Sequence, residues 1–129
     1  MSLKPTDALL IIFTRNPEPG RVKTRLAKDV GDKAAFKIYN FLLEHTVSVT
    51  GNLAVSKEVY YSEEIAQNDI WKSKAYDKKL QQGEGLGERM KNAFEEGFKN
   101  GFKNIIIIGS DLYDLQQEDL EKAFQLLQE

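Results

Sequence analysis

A chain of 129 residues, 41% hydrophobic and 29% charged, has enough apolar material for a core of its own and does not read as a disordered chain. Its formal net charge of -2 argues against broad nucleic-acid binding, and the lack of cysteine excludes disulfides, thiolate metal sites and a cysteine nucleophile. No segment approaches the ~18 apolar residues of a membrane span and no signal-peptide stretch opens the chain. The expectation is one domain over residues 1–129, cytoplasmic, with no membrane or nucleic-acid partner.

Residues Ala8–Phe13 form an unbroken apolar run of strand length, which predicts burial on both faces. Residues 14–29 read as a loop and the start of a helix. The segment KAAFKIYNFLLEHT follows, with Ala35, Ile38 and Leu42 on a helical stripe. Thr50-Gly51-Asn52 signals a turn, and KEVYYS a second strand rich in β-branched and aromatic residues. Residues 63–79 are polar and read as irregular with some helix.

The glycine-rich QQGEGLG then leads into LGERMKNAFEEGFKN, an amphipathic helix. Its predicted inner face holds Leu86, Met90, Ala93, Phe94, Gly97 and Phe98, and Gly101 is its stop signal. NIIIIG reads as another strand buried on both faces, SDLYDLQQ as a turn, and EDLEKAFQLLQ as a last helix. Leu120, Ala123, Phe124 and Leu127 should face inward there, with Leu115 stapled to Leu120. The order predicts an α/β protein, a three-layer α/β/α sandwich around a mostly parallel sheet of three or four strands. So small a sheet leaves exposed edges, through which the chain could form a homo-oligomer.

Three loops draw attention, because ligands of open parallel sheets bind at the C-terminal ends of the strands. The first, FTRNPEPGRVKTRL, carries Arg15, Arg21, Lys23 and Arg25 around Gly20. It lacks the glycine spacing of a Walker A loop and of a dinucleotide fingerprint. Gly20 still permits close backbone approach, Pro17 and Pro19 stiffen the loop, and Lys23 and Arg25 alternate so that both can meet a phosphate. A solvated surface loop is the plain alternative, and it is the reading kept for Arg21.

The second loop follows NIIIIG. Asp111, just past a buried strand, suits Mg²⁺ or Mn²⁺, hard ions that favour carboxylate and phosphate oxygens, or else a simple turn. Asp114 is the weaker candidate, at the start of the last helix. The third is GEGLGERM. Gly85 and Gly87 expose backbone N–H groups before a helix, and Arg89 can reach the rim or solvent. Glu84 and Glu88 read as solvated. His45, the single histidine, reads as serving the helix dipole, and Trp71, Tyr60, Tyr61 and Tyr76 as packing.

Taken together, FTRNPEPGRVKTRL, QGEGLGERM and IGSDLYDL resemble the DUF2064 family, a group with the glycosyltransferase-A fold of nucleotide-diphospho-sugar transferases. The first loop is also similar to the phosphate loop of molybdenum-cofactor and 2-phospholactate guanylyltransferases. The resemblance implies a nucleotide or nucleotide-sugar ligand, with Gly20, Lys23 and Arg25 at the phosphates and GEGLG near base or ribose. It implies a divalent metal on Asp111 and transfer of a glycosyl or nucleotidyl group to an unknown acceptor. Tyr113 stands where the family motif has proline, and Gly85 where an acidic residue usually precedes Leu-Gly. Family members also continue past the last helix, which leaves open a fragment, a nucleotide-binding module without catalysis, or a site completed by a second chain.

Overall fold

The computed structural model describes residues 7–15, 32–110 and 114–128. Four strands and three helices follow in the order β1 (Ala8–Thr14), α1 (Asp32–Thr50), β2 (Ser56–Tyr61), β3 (Asp77–Leu80), α2 (Leu86–Lys99), β4 (Asn104–Gly109) and α3 (Gln117–Gln128). The strands form one sheet in the order β3-β2-β1-β4, and every pairing is parallel. The predicted α/β sandwich is therefore the observed architecture.

The unbroken apolar run of β1 is explained by its central place. Ala8, Leu10 and Ile12 enter one cluster with Tyr39 and Leu43 of α1 and Leu120 and Phe124 of α3. Leu9 and Ile11 enter the opposite cluster with Tyr60, Ala93 and Ile105, on the side of α2. All five β1 residues are fully buried, and each buried Leu or Ile contributes roughly 1.5–3 kcal/mol. A strand with apolar side chains on both faces can sit only between two helical layers.

Several elements differ from the sequence-based expectation. Residues 77–80 form a fourth strand, and no helix occurs in 62–76. That segment instead delivers Trp71 and Tyr76 to the core, edge to face at 5.2 Å. β4 lies at the sheet edge rather than at its centre, with Ile105 and Ile108 buried on opposite faces. On α1 the buried stripe is Tyr39, Leu42, Leu43, Thr46, Val49 and Thr50, while Ile38 points outward. Along α2, Ala93 and Gly97 are buried, but Leu86 (65%) and Phe98 (53%) are exposed, and Leu127 of α3 is also exposed.

Helix ends follow local rules. α2 closes in a Schellman arrangement. Gly101 has φ +99, Phe102 N–H bonds the Gly97 carbonyl at 3.1 Å, and Gly101 N–H bonds Phe98 at 3.1 Å. At α3 the Asp119 carboxylate accepts the Gln116 N–H at 3.0 Å, and Leu115 and Leu120 share one cluster, as the predicted staple requires. His45 does not serve a helix end. Its Nε2 lies 2.9 Å from the Leu115 carbonyl and ties α1 to the approach to α3.

Candidate functional site

The site is built at the C-terminal rim of the sheet, where β1 and β4 run side by side with Ile12 beside Ile108 and Phe13 beside Gly109. α1 grips the ends of both strands. The Tyr39 hydroxyl accepts the Arg15 N–H at 3.1 Å, donates to the Arg15 carbonyl at 3.2 Å, and lies 3.5 Å from both Thr14 Oγ1 and Ser110 Oγ. Thr46, two helical turns on, donates to the Ser110 carbonyl at 2.8 Å. Tyr39, Thr46 and Ser110 are all buried, so these bonds are shielded from water. The basic loop and the Asp111 loop thus leave the sheet from two neighbouring, immobilised points.

The glycine loop is tied to the same rim through Gln81, immediately after β3. Its amide donates to the Tyr60 carbonyl at 3.0 Å and the Thr14 carbonyl at 3.3 Å, and its Oε1 accepts from Arg89 at 3.1 Å. Arg89 also donates from Nε to the Gly83 carbonyl at 2.9 Å, while Asn92 holds the Gln82 carbonyl at 2.7 Å. Arg89 therefore folds back over the loop that precedes its own helix. The strained position is Gly83, with φ +136, where an added Cβ would lie 3.0 Å from the Arg89 backbone nitrogen. Gly85 is the N-cap of α2, in extended conformation, with no side chain capping the helix. A Cβ at Gly85 or Gly87 would meet nothing within 4 Å. These two glycines leave open space in front of a helix N-terminus, a place where anions are stabilised.

Of the residues singled out from sequence, Arg15, Gly85, Gly87 and Arg89 are placed on this rim. Gly20, Lys23, Arg25 and Asp111 lie outside the described residues. Asp114 sits in a turn ahead of α3. Among the described residues, no group of three or more His, Asp or Glu side chains converges as a metal site. Tyr39, Thr46 and Gln81 are positioning residues that the sequence did not betray. A tyrosine and a threonine on a helix, or a glutamine after a strand, carry no motif of their own.

A cleft of about 450 Å³ opens beside Arg15, between α1 and residues 69–71. Its wall is fixed by Asp69, which accepts from Lys78 Nζ at 2.9 Å, Trp71 N–H at 3.1 Å and the Tyr61 hydroxyl at 2.5 Å. Burial, then the hydrogen bond to Asp69, pushes the Tyr61 phenol far above its ordinary pKa, so it stays a donor.

Behind the rim, between β2, β3 and α2, lies a second polar group. Lys79 Nζ is 3.1 Å from Glu96 and 3.4 Å from the buried Glu58, and the Tyr60 hydroxyl donates to Glu96 at 2.8 Å. Burial raises the Glu58 pKa against the opposing pull of Lys79. The Tyr60 and Lys79 hydrogen bonds lower that of Glu96.

The profile of the family described as "Uncharacterized protein conserved in bacteria (DUF2064)" matches residues 46–129, more than half of the chain. The chain belongs to the DUF2064 family. This DUF2064 chain also shares its fold with the crystal structure of a "putative nucleotide-diphospho-sugar transferase" from Desulfovibrio desulfuricans G20. The TM-score is 0.82 at 29% identity, over 94% of this chain and 54% of the other, so the DUF2064 chain spans about half the length of that solved relative. No curated protein matches it. Among the described residues no helix is long and apolar enough to cross a membrane.

Proposed function

We propose that this chain forms the nucleotide-binding part of a transferase of the nucleotide-diphospho-sugar type, which moves a glycosyl or nucleotidyl group. The observation that carries the reading is the double grip of Tyr39 and Thr46, which fixes the starting points of the basic loop and the Asp111 loop side by side. In this reading the backbone at Gly20 and the cations of Lys23 and Arg25 take the phosphates, and Arg15 stands at the border of that cradle. Gly85 and Gly87 offer the free N–H groups of the α2 N-terminus to the nucleotide, while Arg89 shapes the loop that presents them. The protein's main task is to neutralise charge on the leaving phosphate oxygen.

A divalent metal suits the chemistry of the Asp111 carboxylate. Mg²⁺ and Mn²⁺ are held by one or two carboxylates together with substrate phosphates. Asp111 would hold the ion, and the ion would supply further charge neutralisation on the phosphates.

The experiment is a thermal-shift panel of nucleoside triphosphates and of uridine and guanosine diphosphate sugars, with and without Mn²⁺. A ligand at 100 times its Kd adds ~2.7 kcal/mol. Lys23→Ala and Arg25→Ala should abolish the shift, and Asp111→Asn its metal dependence. No shift with any nucleotide overturns the proposal. A shift unchanged by EDTA removes Asp111 from the metal role. Binding without turnover in the presence of acceptors would assign the chain to a nucleotide-binding module that does not itself catalyse.

A further inference from the structure

The two edges of the sheet are built in opposite ways. β3 carries Asp77, Lys78 and Lys79, and its lysines are tied to Asp69 on one face and to Glu58 and Glu96 on the other. Charged side chains on an edge strand keep other strands from pairing with it. Among the described residues β1 is the one strand neighbour of β4, so the other side of the β4 backbone presents unpaired N–H and C=O groups. The sequence NIIIIG has no charge and no proline, and its register with β1 runs without a bulge. Ile106 and Ile107, on opposite faces, are each only half-buried.

The helices beside β4 widen this apolar edge. Arg89, Asn92 and Glu96 lie on the β3 flank of α2, where they bond Gly83, Gln82 and Lys79. Phe94 and Phe98 are each two residues from Glu96, hence about 160° around the helix from it, on the β4 flank. Their rings stack with centroids 6.3 Å apart. α3 lies on the other face, where the same helix hand turns Ala123, Leu126 and Leu127 to the β4 side of the buried Leu120–Phe124 stripe. Leu126 is 69% exposed and Leu127 49%. The strip is one six-residue strand long, ~20 Å, and three layers of ~10 Å deep. Its footprint of about 600 Å² approaches the ~800 Å² of accessible surface that each partner gives to a stable interface.

The occupant that matches this strip is its own copy. A head-to-tail contact would bring the β3 edge of the next chain, whose charges bar it. Two β4 strands instead pair antiparallel about a two-fold axis, and such a contact closes on itself. Residues paired across an antiparallel ladder share a face, so the axis passes through Ile106 or Ile107, and isoleucine meets isoleucine on both faces at the centre. The same axis sets α2 beside its copy and α3 beside its copy, apolar flank to apolar flank. Lys91 and Glu95, 3.8 Å apart on the exposed side of α2, meet their counterparts with the signs reversed. We infer that the free edge of β4, with its flanks on α2 and α3, binds a second copy of this chain and joins two four-stranded sheets into one. The two C-terminal rims then point in opposite directions, and both stay open.

The test is the mass of the full chain in solution, by sedimentation from low to high micromolar concentration. A dimer of twice 14.7 kDa should form as the concentration rises. Phe98→Glu and Leu126→Glu, both at exposed positions, should each weaken it tenfold or more while the circular dichroism of the chain is kept. The chain has no cysteine, so a single introduced one can link only to its copy. Paired Cα atoms of an antiparallel ladder lie ~4.5–5.5 Å apart, within disulfide reach. Mild oxidation should therefore link Ile106→Cys or Ile107→Cys, whichever lies on the axis, and leave Asp77→Cys on the charged edge as monomer. A chain that stays at 14.7 kDa at every concentration overturns the inference and leaves the edge to a strand of a different protein. A dimer that both glutamate variants leave intact, or one that links through Asp77→Cys instead, overturns it as well. No nucleotide enters these measurements, so their failure is distinct from a failure of the nucleotide reading.

Discussion

The Tyr39 hydroxyl accepts the Arg15 amide hydrogen at 3.1 Å and returns its own proton to the Arg15 carbonyl at 3.2 Å. One side chain on α1 thereby satisfies both backbone groups of the first residue after β1. Tyr39→Phe keeps the packing of the ring but removes both bonds. Unsatisfied backbone groups of this kind cost about 1–3 kcal/mol. The variant should unfold at lower denaturant by that amount. Its nucleotide affinity should also fall in titrations at temperatures where it is fully folded, since the phosphate loop then starts from an unfixed point. Unchanged stability together with unchanged affinity would dismiss the grip as incidental.

The glycine loop makes a prediction that separates shape from ligand contact. Gly83→Ala forces a side chain into φ +136 and to within about 3 Å of the α2 backbone. Strained backbone of this sort costs on the order of 1–3 kcal/mol, so this variant should lose stability. Gly85→Ala and Gly87→Ala meet open space. Gly87 lies inside the helix, where alanine is favoured over glycine by about 1 kcal/mol. Gly87→Ala should therefore melt at or above the parent midpoint, and Gly85→Ala slightly below it, because alanine is a poorer N-cap than glycine; both should lose nucleotide binding, as thermal melts and titration on the same samples can establish.

These contrasts explain what was legible in the sequence. The all-apolar β1 announced itself because both of its faces are covered, and Gly101 announced the end of α2 because a left-handed residue is needed there. β3 was invisible. Asp77-Lys78-Lys79-Leu80 has no apolar pattern, because this edge strand packs lysine stems and ion pairs instead of hydrocarbon. Periodicity also overstated the inner face of α2. Phe98 is rotated by about 100° from the buried Gly97 and falls outside the narrow stripe that meets the sheet. In GEGLG the glycines look alike, yet the one residue that needs positive φ is Gly83 at its start. The reason is a backbone contact with Arg89 that only the folded loop creates.

Glu58 gives stability a readable pH dependence. Burial raises its pKa in the folded protein above the ordinary 4.5, and its Oε1 is buried without a hydrogen-bond partner. The folded state then holds a proton that the unfolded state releases, so this group lowers stability as pH rises from about 4.5 through its raised value. Glu96 acts in the opposite sense. Its depressed pKa contributes stability above 4.5, which is lost as pH falls. The charges facing Glu58 are Lys79 and Asp77 from β3 and Glu96 from α2. Glu58→Gln removes the first slope and leaves the second. The thermal midpoint of the variant relative to the parent should climb as pH rises above about 4.5. A difference that stays flat with pH would mean that Glu58 does not titrate there.

The wall of the cleft offers the sharpest energetic test. The Lys78 side chain is 6% exposed and that of Asp69 19%, and they meet at 2.9 Å. Lys78 also donates to the Ala66 and Gln67 carbonyls, at 2.6 and 3.2 Å. Asp69→Ala leaves a buried ammonium with only these carbonyls, leaves the Tyr61 hydroxyl with only its longer bond to the Ala66 carbonyl at 3.3 Å, and strands the Trp71 N–H. Breaking a buried ion pair from one side costs roughly 3–5 kcal/mol, and the surviving carbonyl bonds set the expectation at about 3. Lys78→Met alone should cost less, because Asp69 keeps its bonds to Tyr61 and Trp71. The double variant removes the buried charge with its partner and should be more stable than the sum of the two single changes predicts, with a coupling of about 0.5–3 kcal/mol. Denaturant unfolding of the four proteins measures this directly. Strict additivity would show that Asp69 holds residues 66–71 through Tyr61 and the backbone alone, with Lys78 a bystander.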